Sequence, residues 1–399
     1  NTKLNLEAAM KQGWEIKKLG QVLIIERGGS PRPIDKFLTN SPDGINWIKI
    51  SDATASDKYI YETKEKITRD GLHKTRVVNE GDFILSNSMS FGRPYIMKTT
   101  GCIHDGWLVL KQSDKKFFET EFLYYLLSSP YVFSQFNELA AGSTVRNLNI
   151  ALVSSVKVPV PSLSEQQRMV AILDEAFASI SKAKANAEQN LKNARELFES
   201  YTQSIFEVNV HKWEIKTLDQ ISENLDSRRI PVTKHIRKKG SIPYYGASGV
   251  VDYVADYIFD EDLLCVSEDG ANLLMRTYPI AFSISGKTWV NNHAHVLRFK
   301  NRTNQDYVEF FLNSIRLDDY VSGMAQPKLN QAMLNIITIP FPPNEEQEMI
   351  VQRLNEMRLN TKRLELIYQN KIDDLEVLKK CILQKAFNGE LVTEKTYAI

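Results

Sequence analysis

Ala281-Phe-Ser-Ile-Ser-Gly286-Lys287-Thr288 fits the permissive form of a phosphate-binding loop, in which backbone amides and a lysine hold a nucleotide. That chemistry needs a strand before the loop and a helix whose N-terminus faces the phosphates. The residues that follow, Trp289-Val-Asn-Asn-His293, do not read as a helix, and the leading glycine is missing, so no nucleotide site is expected. Pro42-Asp43 followed by Glu62-Thr-Lys64 fits a loose carboxylate pattern for a Mg²⁺-dependent nuclease; such patterns arise by chance, and a solvated turn is the better reading. His293-Ala-His295 would set two imidazoles on one face of a strand, without a third ligand at metal spacing. A base methyltransferase needs an Asn/Asp-Pro-Pro-aromatic loop and a glycine-rich cofactor turn, whereas Pro342-Pro343 lies between Phe341 and Asn344. Cys102, Cys265 and Cys381 have neither metal nor redox spacing, as expected of a reducing cytoplasm. Catalytic, metal-binding and cofactor-binding residues are therefore not expected in this chain.

Residues suited to contacting a polyanion are easier to find. The stretch Asp226–Lys239 carries six basic residues against one acid, and a basic loop with small polar residues suits phosphate contacts; a solvated loop accounts for it equally well. Arg32 between two prolines, Gly92-Arg93 and Ser86-Asn-Ser-Met-Ser90 could present side chains to base edges, since arginine pairs with guanine and asparagine with adenine. Asn291-Asn292-His293 and Tyr245-Gly-Ala-Ser248 are the counterparts later in the chain. The candidate contact set is Arg32, Lys49, Lys74, Arg76, Asn87, Ser90, Arg93, His104 and Arg146, followed by Arg228, Arg229, Lys234, Tyr245, Ser248, Lys287, Asn292, His293 and Lys328. Net charge does not select this reading. It is +1 overall, so any basic surface is local and balanced elsewhere.

What would position these residues is a duplicated framework. Pro159-Val-Pro-Ser-Leu-Ser-Glu-Gln-Gln166 has a second copy at Pro340-Phe-Pro-Pro-Asn-Glu-Glu-Gln347, an offset of 181 residues. Gly142, Leu148 and Asn149 recur at that offset as Gly323, Leu329 and Asn330, which marks a tandem duplication of a domain. The prolines hold each approach extended; Ser162 or Ser164, and Asn344 in the second copy, are candidate N-caps. Neither proline nor glycine interrupts the runs to Phe206 and Phe387. Val170, Leu173, Phe177, Ile180, Ala187, Leu191, Ala194 and Phe198 alternate threes and fours, as do Val351, Leu354, Tyr368, Ile372 and Leu375. That is a coiled-coil seam on helices on the order of 60 Å long. An antiparallel pair in register would bring Lys184 and Glu365 together near the middle.

Trp14-Glu-Ile and Trp213-Glu-Ile each open a globular unit of short strands, Gly- and Asn-rich turns and one or two helices, the grammar of an α+β domain. Their offset is 199 residues, so the first unit is 18 residues longer while the helices keep their length. Strands are expected at 21–25, 47–50, 83–86, 107–111, 242–245, 263–267, 280–284 and 295–299, and helices at 119–127 and 305–313. The first dozen residues read as a helical lead-in or leftover arm. The resulting domains are 1–158, 159–212, 213–339 and 340–399: globular unit, long helix, globular unit, long helix, with pseudo-twofold symmetry within the chain. Neither a signal peptide nor an apolar run long enough to cross a bilayer is found in the sequence.

The chain as a whole resembles the DNA-specificity subunits of type I restriction–modification enzymes. The resemblance rests on Trp14-Glu-Ile and Trp213-Glu-Ile, the two Pro-x-Pro-x-x-x-Glu-Gln phrases, Gly142…Leu148-Asn149 and Gly323…Leu329-Asn330, and the ending Ala386-Phe-Asn-Gly-Glu-Leu391. It implies two target-recognition domains, each reading half of a bipartite site in double-stranded DNA, with the paired helices as a ruler. It also implies two methyltransferase subunits carrying S-adenosylmethionine and ATP- and Mg²⁺-dependent restriction subunits as partners, so that catalysis belongs to other chains. Against this stand two rival readings, a self-contained nuclease or methyltransferase and a coiled-coil scaffold without DNA specificity.

Overall fold

The computed structural model describes residues 13–87, 91–112, 116–141, 147–323 and 326–391. The expected lead-in and the contact candidates Ser90 and Arg146 lie outside them. Two compact units form, Asn1–Ala185 with Lys371–Ile399, and Asn186–Asn370. Each combines one globular domain with part of both long helices.

In the first unit the Trp-Glu-Ile phrase and the proline phrase form one device. Strand Glu15–Lys18 pairs antiparallel with Lys157–Val160, placing Glu15 opposite Val160 and Ile16 opposite Pro159. A two-stranded ribbon is all edge, so proline is tolerated there. Beyond it, one five-stranded sheet has the order Leu23–Arg27, Trp107–Gln112, Phe83–Ser86, Pro94–Met97, Tyr59–Ile60. A second sheet orders Leu38–Thr39, Glu65–Ile67, Ile45–Ile48, Gly101–Ile103, Arg76–Val78. Helix Thr120–Ser128 is capped by the Glu119 carboxylate, which accepts the Phe122 N–H at 2.8 Å. With helix Pro130–Ala140 it covers the first sheet through Phe122, Leu126, Tyr131 and Phe136.

The second unit repeats the plan with fewer strands. Glu214–Thr217 pairs with Thr338–Phe341, Ile215 opposite Pro340. One four-stranded sheet has the order Ser222–Asn224, Ala294–Phe299, Leu263–Ser267, Ala281–Ile284, and the other Gly249–Val254, Lys239–Gly246, Lys287–Val290, Phe259–Asp260. Helix Arg302–Ser314, capped by Asn301, takes the place of Thr120–Ser128.

The long helices run Leu163–Asn209 and Asn344–Phe387, about 70 and 66 Å at 1.5 Å per residue. The Ser162 hydroxyl accepts the Glu165 N–H at 3.3 Å and caps the first. Asn344 does not cap the second. It is already the first helical residue, and its side chain instead donates to Glu348 and accepts from Asn301. The glutamine that closes each phrase is buried. Gln166 donates to the Phe117 and Pro161 carbonyls and accepts the Glu119 N–H, and Gln347 donates to the Pro342 carbonyl and accepts from Asn304.

Within the first unit Leu173, Phe177 and Ile180 share a core with Leu383, Ala386 and Phe387, and Leu375 packs against it. Within the second, Leu354 is fully buried beside Phe206, and Leu191 and Tyr368 are half-buried along their helices, as Ile372 is in the first. Phe387 meets Phe122 edge-on at 5.4 Å, while Phe206 meets Phe311 at 5.2 Å: duplicated residues plug equivalent cavities. The ion pairs within the units give Lys184 and Glu365 other partners than each other. Lys184 pairs with Glu376 at 2.6 Å in the first unit, and Arg195 with Glu365 at 2.9 Å in the second. Shifting Lys184 and Arg195 by the repeat offset gives Glu365 and Glu376, so the two bridges are duplicates of one another.

Candidate nucleic-acid interface

In each unit the central strands of the first sheet end at a junction of loops, tied by the same backbone bonds. In the first, Asn87 N–H donates to the Gly106 carbonyl at 3.1 Å, and Leu148 N–H to the Asn87 carbonyl at 2.9 Å. In the second, Glu268 N–H donates to the His293 carbonyl at 2.9 Å, and Leu329 N–H to the Glu268 carbonyl at 2.8 Å. The duplicated Leu-Asn pair therefore locks a third loop onto the strand ends, and its asparagine caps the following short helix: Asn149 accepts from Leu152, Asn330 from Met333. Most of the candidate contact residues converge on these two junctions.

At the first junction the Gly28–Pro33 loop is stitched down by Gly28 N–H to the Trp107 carbonyl and Gly29 N–H to the Ile103 carbonyl. A Cβ on Gly28 would lie 2.1 Å from the His104 carbonyl oxygen, so only glycine permits this approach. Asp105 accepts from Ser30 at 2.7 Å and pairs with Arg32 at 3.4 Å. The Ser30 hydrogen bond, ahead of the contribution of Arg32, holds the Asp105 carboxyl below its ordinary value. Burial pushes the His104 imidazole down, and Nδ1 accepts the Gly106 N–H at 2.9 Å, so the neutral ring carries its hydrogen on Nε2. Ser30, Arg32, Trp47, Lys49, Glu65 and His104 line an open cleft of about 570 Å³, with Lys49 bridged to Glu65 at 2.5 Å. Lys74 lies over the Phe37 ring, Arg76 pairs with Glu26, and Arg93 reaches the Ser56 carbonyl across the Tyr95 ring. Asn87 is buried, and its amide donates to the Asp105 carbonyl at 2.8 Å; it shapes the loop from within instead of facing a base edge.

At the second junction, Ser248 is hydrogen-bonded to the Tyr278 hydroxyl at 3.0 Å, and the Ser267 hydroxyl holds the hairpin turn through the Ala247 carbonyl. Exposed His293 pairs with Asp269 at 2.8 Å, exposed Lys328 with Glu268 at 3.2 Å, and Asn292 is exposed beside them. Tyr245 stacks on Phe282 behind the turn. The basic loop is partly consumed internally. Arg228 pairs with Glu261 over the Phe259 ring, and Arg237 with Asp252 over Tyr244. Arg229 is nearly buried, donating to Glu268 at 2.6 Å and to the Ala294 carbonyl at 2.8 Å, which makes it a scaffold residue in place of the phosphate contact expected. Lys234 remains on the surface, and Lys287 lies over the Tyr257 ring.

Beneath this surface is a network that sequence spacing does not reveal. His295 is bonded to Asp226 at 2.6 Å through Nδ1 and to the Leu329 carbonyl at 2.7 Å through Nε2. Burial would raise the Asp226 carboxyl, but hydrogen bonds from His295 and the Val296 N–H, with Arg229 nearby, hold it below its ordinary value. Each ring nitrogen of His295 thus has an oxygen partner, one on Asp226 and one on Leu329. Asp226, Glu268 and His295 lie close enough to hold a metal ion. However, Arg229 reaches both carboxylates, at 3.3 and 2.6 Å, and so fills the place of a cation. The two histidines of the His293-Ala-His295 pattern thus serve two different aspartates. The phosphate-loop pattern falls on a crossing between the two sheets: strand Ala281–Ile284 of one turns at Gly286, φ +68°, into strand Lys287–Val290 of the other, where a helix would be needed.

Residues 11–191 and 211–372 match the family described as the type I restriction modification DNA specificity domain. A putative type I restriction enzyme specificity subunit of Haemophilus influenzae is 33% identical over 165 residues, 41% of either chain. The MjaIX specificity subunit of Methanocaldococcus jannaschii is 23% identical and aligns over 96% of this chain and 94% of its own. Among solved structures, a chain from work on complex assembly and conformational transition of the type I R-M system superposes with TM-score 0.76 at 18% identity, covering 96% of this chain and 99% of that one. The HsdS subunit from Thermoanaerobacter tengcongensis gives 0.58 at 19% identity, covering 96% and 98%. The chain belongs to the type I restriction–modification DNA specificity family, as a non-catalytic subunit that confers DNA sequence specificity.

Proposed function

We propose that each loop junction reads one half of a bipartite target in double-stranded DNA, with the long helices running antiparallel as a coiled-coil spacer between the halves. The observation that carries this reading is the junction itself: identical backbone bonds rebuild it in both units, while the side chains it displays differ. A constant frame with variable contacts is what two half-sites of different sequence require. Two oppositely charged pairs at duplicated positions, Lys184–Glu376 and Arg195–Glu365, support an antiparallel register for the helices. Arg32, Lys49, Lys74, Arg76, Arg93 and His104 then serve the first half-site, and Lys234, Ser248, Lys287, Asn292, His293 and Lys328 the second. Methyltransferase subunits with S-adenosylmethionine, and restriction subunits with ATP and Mg²⁺, supply the chemistry in the cytoplasm.

The test is selection from a random duplex library by the assembled complex. Two short defined blocks separated by a fixed unspecified gap are expected. Lengthening both helices by one heptad should then change the gap and leave the blocks alone, since successive major-groove faces are about 34–36 Å apart. A single continuous block, or altered blocks with an unaltered gap, would refute the reading. Turnover of DNA by the chain alone would favour a self-contained enzyme.

A further inference from the structure

The duplication supplies an internal control for the buried network of the second unit. In the first unit the pair Ser86 and Trp107 closes the ladder of the two central strands, and Leu85 faces Leu108 one step further in. In the second the closing pair is Ser267 and Ala294, and Val266 faces His295. His295 therefore occupies the position of Leu108, and both are about fully buried, at 1% and 0% exposure. The same architecture stands with a leucine there, so the fold does not require a histidine. Buried ion networks are weak contributors to stability compared with apolar packing of similar volume. The histidine must do something that a leucine at this position cannot.

What it does is visible in its second bond. Nε2 holds the carbonyl of Leu329, the residue after Lys328, and Leu329 N–H is already tied to Glu268. Both polar groups of one peptide-chain residue are thus fixed to the strand ends. Glu268 in turn grips Lys328 through one carboxylate oxygen and Arg229 through the other. The segment at residues 326–329 is clamped at its inner edge, with Lys328 and the His293–Asp269 pair standing on the outer surface.

We propose that His295 is a positioning residue for recognition by the second unit: through the Leu329 carbonyl it fixes the loop that presents Lys328, and so sets discrimination at one half-site alone. The proposal rests on the reading that this junction meets DNA. Two near-isosteric substitutions separate its two bonds. His295→Asn keeps a donor where Nδ1 stands, toward Asp226, and loses the one toward Leu329. His295→Gln keeps a donor where Nε2 stands and loses the one toward Asp226.

The experiment measures binding of the full chain, in the assembly used for selection, to three duplexes: the selected target and versions with either half-site scrambled. His295→Asn is expected to lower discrimination at one half-site by about tenfold, the equivalent of one hydrogen bond, while the other half-site is unchanged. His295→Gln is expected to stay within about threefold of wild type. The unaffected half-site reports that the first unit and the assembly are intact, and the Gln variant reports that the second unit tolerates the loss of one His295 bond. The proposal is overturned if the Asn variant discriminates as wild type does, if both half-sites weaken together, or if Gln loses as much as Asn. If wild-type protein is indifferent to scrambling either half, it is the underlying reading of the junctions that fails.

Discussion

Replacing Gln166 with leucine tests whether the glutamine closing the proline phrase is a structural lock. The residue is fully buried and makes three hydrogen bonds: the Glu119 N–H to Oε1 at 2.8 Å, and Nε2 to the Phe117 and Pro161 carbonyls at 2.9 Å each. Leucine has a similar volume, so little cavity forms. It leaves one buried N–H and two carbonyls without these partners, at roughly 1–3 kcal/mol for each group, the carbonyls costing least. The amide's own desolvation is no longer needed, which returns part of that. A net loss of about 3 kcal/mol follows. Gln347→Leu removes only two bonds, to Pro342 and from Asn304, and the Asn304 amide can still reach Asn344 Oδ1, already 3.4 Å away. Its cost should be about 1–2 kcal/mol. Hydrogen exchange of peptides covering residues 117–127 and 301–312 reads the two units separately. If Gln166→Leu costs no more than Gln347→Leu, or less than about 1 kcal/mol, the hydrogen-bond account of the phrase is wrong.

Other expectations follow from single contacts. Gly28→Ala puts a methyl 2.1 Å from the His104 carbonyl, so the backbone must move, and discrimination at the first unit's half-site should fall about tenfold or more in the scrambled-duplex assay. Phe387→Ala empties a fully buried site against Phe122 and should cost about 3–5 kcal/mol in denaturant unfolding of the first unit. Reversing Lys184 to glutamate should cost at most about 1 kcal/mol, because the pair with Glu376 is half-exposed; reversing both should recover it, and added salt should shrink the effect. Asp226 and Glu268 both have carboxyls held below their ordinary values in the folded chain, Glu268 because Arg229, His295 and Lys328 outweigh its burial. Their stabilisation is present above the unfolded carboxylate pKa, about 4, and is lost as pH falls through the depressed folded values. Acid should therefore unfold the second unit with a steeper dependence than Asp226→Asn shows, as followed by fluorescence of Trp213 and Trp289.

Elements that rest on local rules were legible in the sequence. The proline-gated long helices, their seam from Leu173 to Ile205, and the helices near residues 120 and 305 all carry caps or heptads within a few residues of themselves. The apolar positions named for that seam are the less exposed ones along both helices. Features built from distant residues were not. Of the second sheet of each unit only the strands near 47–50 and 242–245 are expected from sequence; most of the others are two to four residues long and pair with partners far off in sequence. Helix Pro130–Ala140 was missed because Pro130, which reads as a breaker, serves as its first helical residue behind the Ser129 cap. Arg229 looked like a phosphate contact because its partners, Glu268 and the Ala294 carbonyl, lie 39 and 65 residues away. Asn87 misled for the same reason. His295 was noticed only as half of a metal-like pair, since nothing local announces a bond to a carbonyl 34 residues on.

Why the repeat is sharp in some places and faint in others has a physical answer. At the base of each unit a ribbon pairs the Trp-Glu-Ile strand with the proline strand, and a buried glutamine closes the turn into the long helix. Each glutamine answers through its side chain to partners inside the same unit, so a substitution there leaves polar groups without these partners. The loop junction is fixed differently, by backbone bonds from Leu148 and Leu329, which any residue except proline can donate. Only the frame is constrained, and the side chains displayed on it are free to change. The 18 extra residues of the first domain, counted from the two repeat offsets, lie between its base ribbon and its junction-closing Leu148. Divergence collects where the hydrogen bonds do not depend on side-chain identity, and that is the end of each unit at which the contact candidates converge.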